Sequence, residues 1–114
     1  MKIEKKLGDD TYILNIEKQT LDYTSYKGDI SLKLDDKALD MDIGRIGDGC
    51  GAGRVFLLFA TEIKAFNPEN QEYFEVVQEL NQAISLEKNG CDLFIEDADG
   101  KYIFNLAMMK RYNI

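Results

Sequence analysis

An alternation of apolar and polar residues with a period of two runs through the first half of this sequence. It constrains the fold more than any other feature. Tyr12, Leu14 and Ile16 alternate with Ile13, Asn15 and Glu17. Ile30, Leu32 and Leu34 alternate with Ser31, Lys33 and Asp35, and Leu39, Met41 and Ile43 with Asp40 and Asp42. Successive side chains of a strand point to opposite faces, so the pattern predicts half-buried antiparallel strands with one apolar face each. Gly8-Asp9-Asp10, Lys27-Gly28-Asp29 and Asp35-Asp36 mark turns between them. Residues 20–26 are β-prone as well. From Val55 to Ala60 every residue is apolar, which predicts a central strand covered on both faces.

The pattern then changes. Asn67 is a good helix N-cap, Pro68 suits the first helical position, and Glu69 and Glu72 complement the helix dipole. At 100° per residue, Tyr73, Val76, Val77, Leu80, Ala83 and Ile84 fall within an arc about 120° wide. Gly90 is a plausible stop. This spacing predicts one long amphipathic helix packed on the sheet. After it, Cys91–Glu96 and Lys101–Met109 flank Asp97-Ala98-Asp99-Gly100, a hairpin signal. No internal repeat or linker is visible. The expected fold is α+β: a single domain over residues 1–114, mainly an antiparallel sheet, with one long helix and a C-terminal hairpin.

Composition excludes more than it assigns. The 114 residues include no histidine, which removes the commonest general base, Ser-His and Cys-His dyads and most zinc sites. Acids outnumber bases 21 to 14, for a net charge of −7. That balance argues against nucleic acid and anionic membrane, and fits a basic partner. No cofactor, metal or catalytic residue is expected. The segment MKIEKKLGDD has no apolar signal-peptide core, and the run Val55–Ala60 is far short of a membrane span. Two cysteines in such a chain point to free thiols and a cytoplasmic location.

The glycine-rich stretch GRIGDGCGAGR, residues 44–54, is a candidate anion cradle flanked by Arg45 and Arg54. It precedes a strand and lacks the GK[ST] of phosphate loops, so a connection between strands is the simpler expectation. Within it, Cys50 near two arginines is a candidate reactive thiol, but it has no histidine base. Cys91 reads as a small core residue. Asp97 and Asp99 hint at a calcium loop, but Lys101 stands where a further ligand is needed.

Charge placement is the most informative signal. Between Phe66 and Gly100 nine acids stand against one base, Lys88. On the expected helix, Glu72, Glu75 and Glu79 fall on one side without interleaved lysines. This predicts a surface that steers and docks a basic partner, flanked by Glu69, Asp97 and Asp99, with Phe74 as an exposed aromatic anchor.

The stretches GDDTYILNIEKQ, YKGDISLKLDDKALDMDI and VFLLFATEIKAFNPENQEYFEVVQELNQAI, between Gly8 and Ile84, combine these strand and helix patterns. In them the chain resembles small acidic immunity proteins of bacterial polymorphic or contact-dependent toxin systems. That resemblance implies a non-enzymatic protein that neutralises a cognate basic toxin, often a nuclease, by blocking its active site. It carries over no functional residue. The alternatives are an acidic inhibitor or assembly subunit of phage or host origin, and an enzyme or anion-binding module built on the loop around Cys50.

Overall fold

A computed structural model describes residues 1–26 and 28–114. The described chain is all strand, with no helix, and forms three four-stranded antiparallel sheets in sequence order. The first holds β1 (Lys2–Leu7), β2 (Asp10–Asn15), β3 (Thr20–Ser25) and β4 (Gly28–Lys33). The second holds β5 (Ala38–Ile43), β6 (Val55–Phe59), β7 (Ile63–Asn67) and β8 (Glu72–Val77). The third holds β9 (Ser85–Asn89), β10 (Asp92–Asp97), β11 (Gly100–Asn105) and β12 (Lys110–Asn113). Each strand pairs with its sequence neighbour, so every sheet is a meander.

The second sheet is the middle layer. Val55, Leu57 and Phe59 of β6 pack with Leu14, Leu21 and Met41 in a core shared with the first sheet. Phe56 and Leu58 point the other way, into a core with Leu86, Leu93 and Phe104 of the third sheet. Two cores on opposite faces explain why this segment reads as apolar throughout. The strands around Leu14, Leu32 and Met41 form, as does the β10–β11 hairpin, but β11 ends at Asn105 where the expected strand ran on to Met109, and Leu39 packs in the opposite core from Met41 and Ile43. Of the expected turn Lys27-Gly28-Asp29, Lys27 lies outside the described residues.

The long helix expected between Asn67 and Gly90 does not exist, so the α+β expectation is overturned by an all-β fold. Asn67 and Pro68 also suit a turn, and that is their use. The Asn67 side chain accepts from the Glu69 N–H at 3.0 Å and its carbonyl from the Gln71 N–H at 2.7 Å. Tyr73, Phe74, Val76 and Val77 then favour an extended chain, since β-branched and aromatic side chains pack well on a pleated surface. Glu79 (φ 62) and Gln82 (φ 49) are left-handed, a conformation no helix interior accommodates. Of the supposed apolar arc, Val77, Leu80 and Ala83 are buried while Tyr73 and Ile84 are exposed. Their spacing is that of a strand followed by an irregular crossover.

One kind of turn recurs three times, after the second strand of the first sheet and after the third strand of the other two. Asn15, Asn67 and Asn105 each end a strand, each is followed by a four-residue turn, and each turn closes on a left-handed residue. Those residues are Gln19 (φ 54), Gln71 (φ 59) and Met109 (φ 53). In all three, the asparagine side chain accepts a turn N–H: from Lys18 at 3.0 Å, Glu69 at 3.0 Å and Met108 at 2.9 Å.

The second and third sheets are joined along β5 and β9 by carboxylates. Asp40 accepts from the Leu86 N–H at 2.9 Å, and Asp42 from the Lys88 N–H at 2.6 Å. These acids therefore face a neighbouring sheet, and Asp42 is 1% exposed. They substitute for a ladder that two separate sheets cannot form.

Candidate functional site

The acidic residues expected to form a partner surface lie on a strand and in loops. Strand β8 carries Glu72, Phe74 and Glu75, and its free edge ends the second sheet. Its first four residues, Glu72 to Glu75, are all exposed. Period two puts Glu72 and Phe74 on one face, and Tyr73 and Glu75 on the other. The single stripe of Glu72, Glu75 and Glu79 predicted from helical spacing is thus split. Glu75 lies opposite Lys64 in the register, and Glu72 opposite Asn67. Glu69 is exposed on the turn before β8, and Glu79 on the loop after it.

Asp97 does not belong to an open surface. It is 3% exposed, and its carboxylate accepts N–H groups from Asn81 at 3.0 Å, Asp99 at 2.9 Å and Gly100 at 3.2 Å. Burial acts to raise its pKa, and these donors with Tyr102 outweigh it, so the carboxyl sits below its ordinary value. Asp97 shapes the β10–β11 turn and ties the loop after β8 to it. Asp99 stays exposed and accepts from the Asn81 side-chain amide at 3.1 Å.

The glycine-rich loop is a fixed connection between β5 and β6. Gly44 donates to the Arg54 carbonyl at 2.8 Å, and Gly53 to the Gly44 carbonyl at 2.7 Å. A Cβ on Gly44 would lie 1.8 Å from the Gly51 carbonyl oxygen, so only glycine fits there. Cys50 and Cys91 form a disulfide that fastens the loop to the start of β10. Both expectations for these cysteines are corrected: neither is a free thiol, and a bonded Cys50 offers no nucleophile. The loop also encloses Lys88. Its side chain is fully buried, its ammonium 2.7 Å from Asp48, and it donates to the Gly90 carbonyl as well. The hydrogen bond from Lys88 is the main reason the Asp48 carboxyl lies below its ordinary value. Arg45, one of the two supposed anion-binding arginines, lies 3.5 Å from Asp42. The cation lining this loop is thus neutralised from within the chain.

Sequence reasoning missed β1, the disulfide, and the burial of Lys88. Among the described residues no three His, Cys, Asp or Glu side chains form a metal-binding group, and no helix is long and apolar enough to cross a membrane. No protein-family model matches the chain, and a comparison with curated proteins finds no significant relative.

Proposed function

We propose that this chain is a binding protein that captures and neutralises a basic protein partner, as an immunity protein blocks a bacterial toxin, with a nuclease as the kind of toxin that suits such a surface. One observation carries the proposal. The open-edged strand β8 bears Glu72 and Glu75 together with Tyr73 and Phe74, which are 42% and 56% exposed. An open edge accepts another strand through its backbone groups, the acids steer a basic partner, and the aromatics offer apolar area. Glu69 and Glu79 extend the acidic surface at either end of β8, and Asp99 adds to it on the β10–β11 turn. Asp97 has no part in it.

A cytoplasmic location follows from the thiol pattern only if the cysteines are free. The Cys50–Cys91 bond removes that argument, so the cysteines no longer favour the cytoplasm.

The test is a pull-down with the disulfide-bonded protein at low and high salt, with mass spectrometry of what is retained. The expected result is a basic protein, released by salt and not retained by a variant carrying Glu72→Lys, Glu75→Lys and Glu79→Lys. Retention of the same protein by that variant, insensitive to salt, would remove β8 as the docking face.

A further inference from the structure

A cleft of about 710 Å³ lies between the first and second sheets, on the side opened by the turn that carries Glu69. Its volume is that of a small-ligand site. Tyr12 and Tyr23 line it, their rings stacked at 5.3 Å. Tyr12 is 3% exposed, and no described group hydrogen-bonds its hydroxyl. Among the described residues no fully buried side-chain oxygen is left unsatisfied, so this oxygen opens into the cleft that Tyr12 lines. A buried side chain presenting one unpaired polar atom to a cavity is poised for a ligand.

Two carboxylates, Asp10 and Glu69, line the same cleft, against one described basic residue, Arg54. Burial raises the Tyr12 pKa, and the charges of Asp10, Tyr23 and Glu69 raise it further. The hydroxyl therefore stays neutral at pH 7 and sits in a negative potential. A neutral oxygen acceptor and nearby carboxylates together suit a cation that is flat or compact.

We infer that the cleft receives a protonated guanidinium or primary ammonium group, held at the Tyr12 hydroxyl between Asp10 and Glu69. Two sources share this chemistry: an Arg or Lys side chain of a basic polypeptide, or a free small cation. The polypeptide source rests on the binding function proposed above; the cleft's chemistry does not. Glu69 belongs to the turn leading into β8, so a polypeptide docked on that strand has this cleft beside it.

The test is an amide-resolved NMR titration of the intact protein with N-acetylarginine methylamide and, separately, with hexaarginine. Signals around Tyr12, Tyr23 and Gln71 are expected to shift with at least one probe. Tyr12→Phe and Glu69→Gln each weaken that binding about tenfold, the loss of one charge-assisted contact. Tyr12→Phe keeps the ring, and Glu69 is exposed, so both variants retain the fold. Tighter binding of hexaarginine assigns a polypeptide source, and equal binding a free cation. The Glu72→Lys, Glu75→Lys, Glu79→Lys variant separates the two proposals, because it leaves the single-arginine probe's binding intact even where partner capture is lost. If neither probe shifts the cleft, or if either cleft variant binds as the native protein does, the inference is overturned.

Discussion

The ammonium of Lys88 lies 2.7 Å from the carboxylate of Asp48, with the whole Lys88 side chain buried. One residue thereby links three parts of the fold. Its backbone N–H bonds Asp42 of β5, its side chain holds the glycine-rich loop, and its ammonium reaches the Gly90 carbonyl. A buried charge is tolerated only while its partner stays in place. Asp48→Asn leaves the ammonium facing a neutral amide, whereas Lys88→Met removes the charge and its desolvation cost together. Thermal melts should therefore show Asp48→Asn as the more destabilised variant. The reverse order would mean that packing around the lysine stem matters more than the pair.

The disulfide closes a loop across 41 positions of the sequence. Chain-entropy arguments give such a crosslink about 4 kcal/mol of stability. Reduction, or the double substitution Cys50→Ser with Cys91→Ser, should lower the denaturant midpoint by a corresponding amount. Hydrogen exchange in residues 44–54 should rise most, because that loop loses its anchor to β10.

Stability should fall in acid for a definable reason. The carboxyls of Asp48 and Asp97 both lie below their ordinary values in the folded chain. A carboxylate whose folded pKa is lowered contributes stability that is complete above its unfolded pKa, about 4, and is lost as pH falls through the folded value. Melting temperature should thus be flat with respect to these groups near neutrality and drop below about pH 4. Asp97→Asn should lower the plateau and flatten the acid limb, as a series of melts between acid and neutral pH would show.

The three asparagine turns offer an internal control. Asn15→Ala, Asn67→Ala and Asn105→Ala each remove one side-chain acceptor from a turn N–H and should each cost about 1 kcal/mol. Gln71→Gly relieves a left-handed non-glycine residue and should be neutral or stabilising by up to about 1 kcal/mol. Urea unfolding of the four variants checks both directions.

Much of the sheet structure was legible in the sequence because it depends on local alternation. Leu14, Leu32 and Met41 announce their strands, and the apolar run beginning at Val55 announces a strand between two cores. The error between Asn67 and Gly90 has a local cause too. Asn-Pro opens a helix or a turn equally well, and apolar residues three and four apart arise by chance when a strand such as β8 runs into a crossover holding Leu80 and Ala83. The recurring turn was hidden because the shared element is small: an asparagine, four turn residues and one left-handed position. Long-range pairings such as Cys50–Cys91 and Asp42–Lys88 leave no local trace. Of the candidate site, the acidic residues were found but not their arrangement, because Glu72 and Glu75 lie on one side of a helix and on opposite faces of a strand.

The central claim is that the edge strand β8 docks a basic partner through its acids. The most direct test is the affinity of the captured partner for the native protein and for the Glu72→Lys, Glu75→Lys, Glu79→Lys variant, measured by calorimetry at two salt concentrations. The native complex should weaken with salt, and the variant should lose on the order of a hundredfold in affinity, as expected for three reversed contacts of about 1 kcal/mol each. Equal affinity and an equal salt slope for the two proteins would contradict the claim.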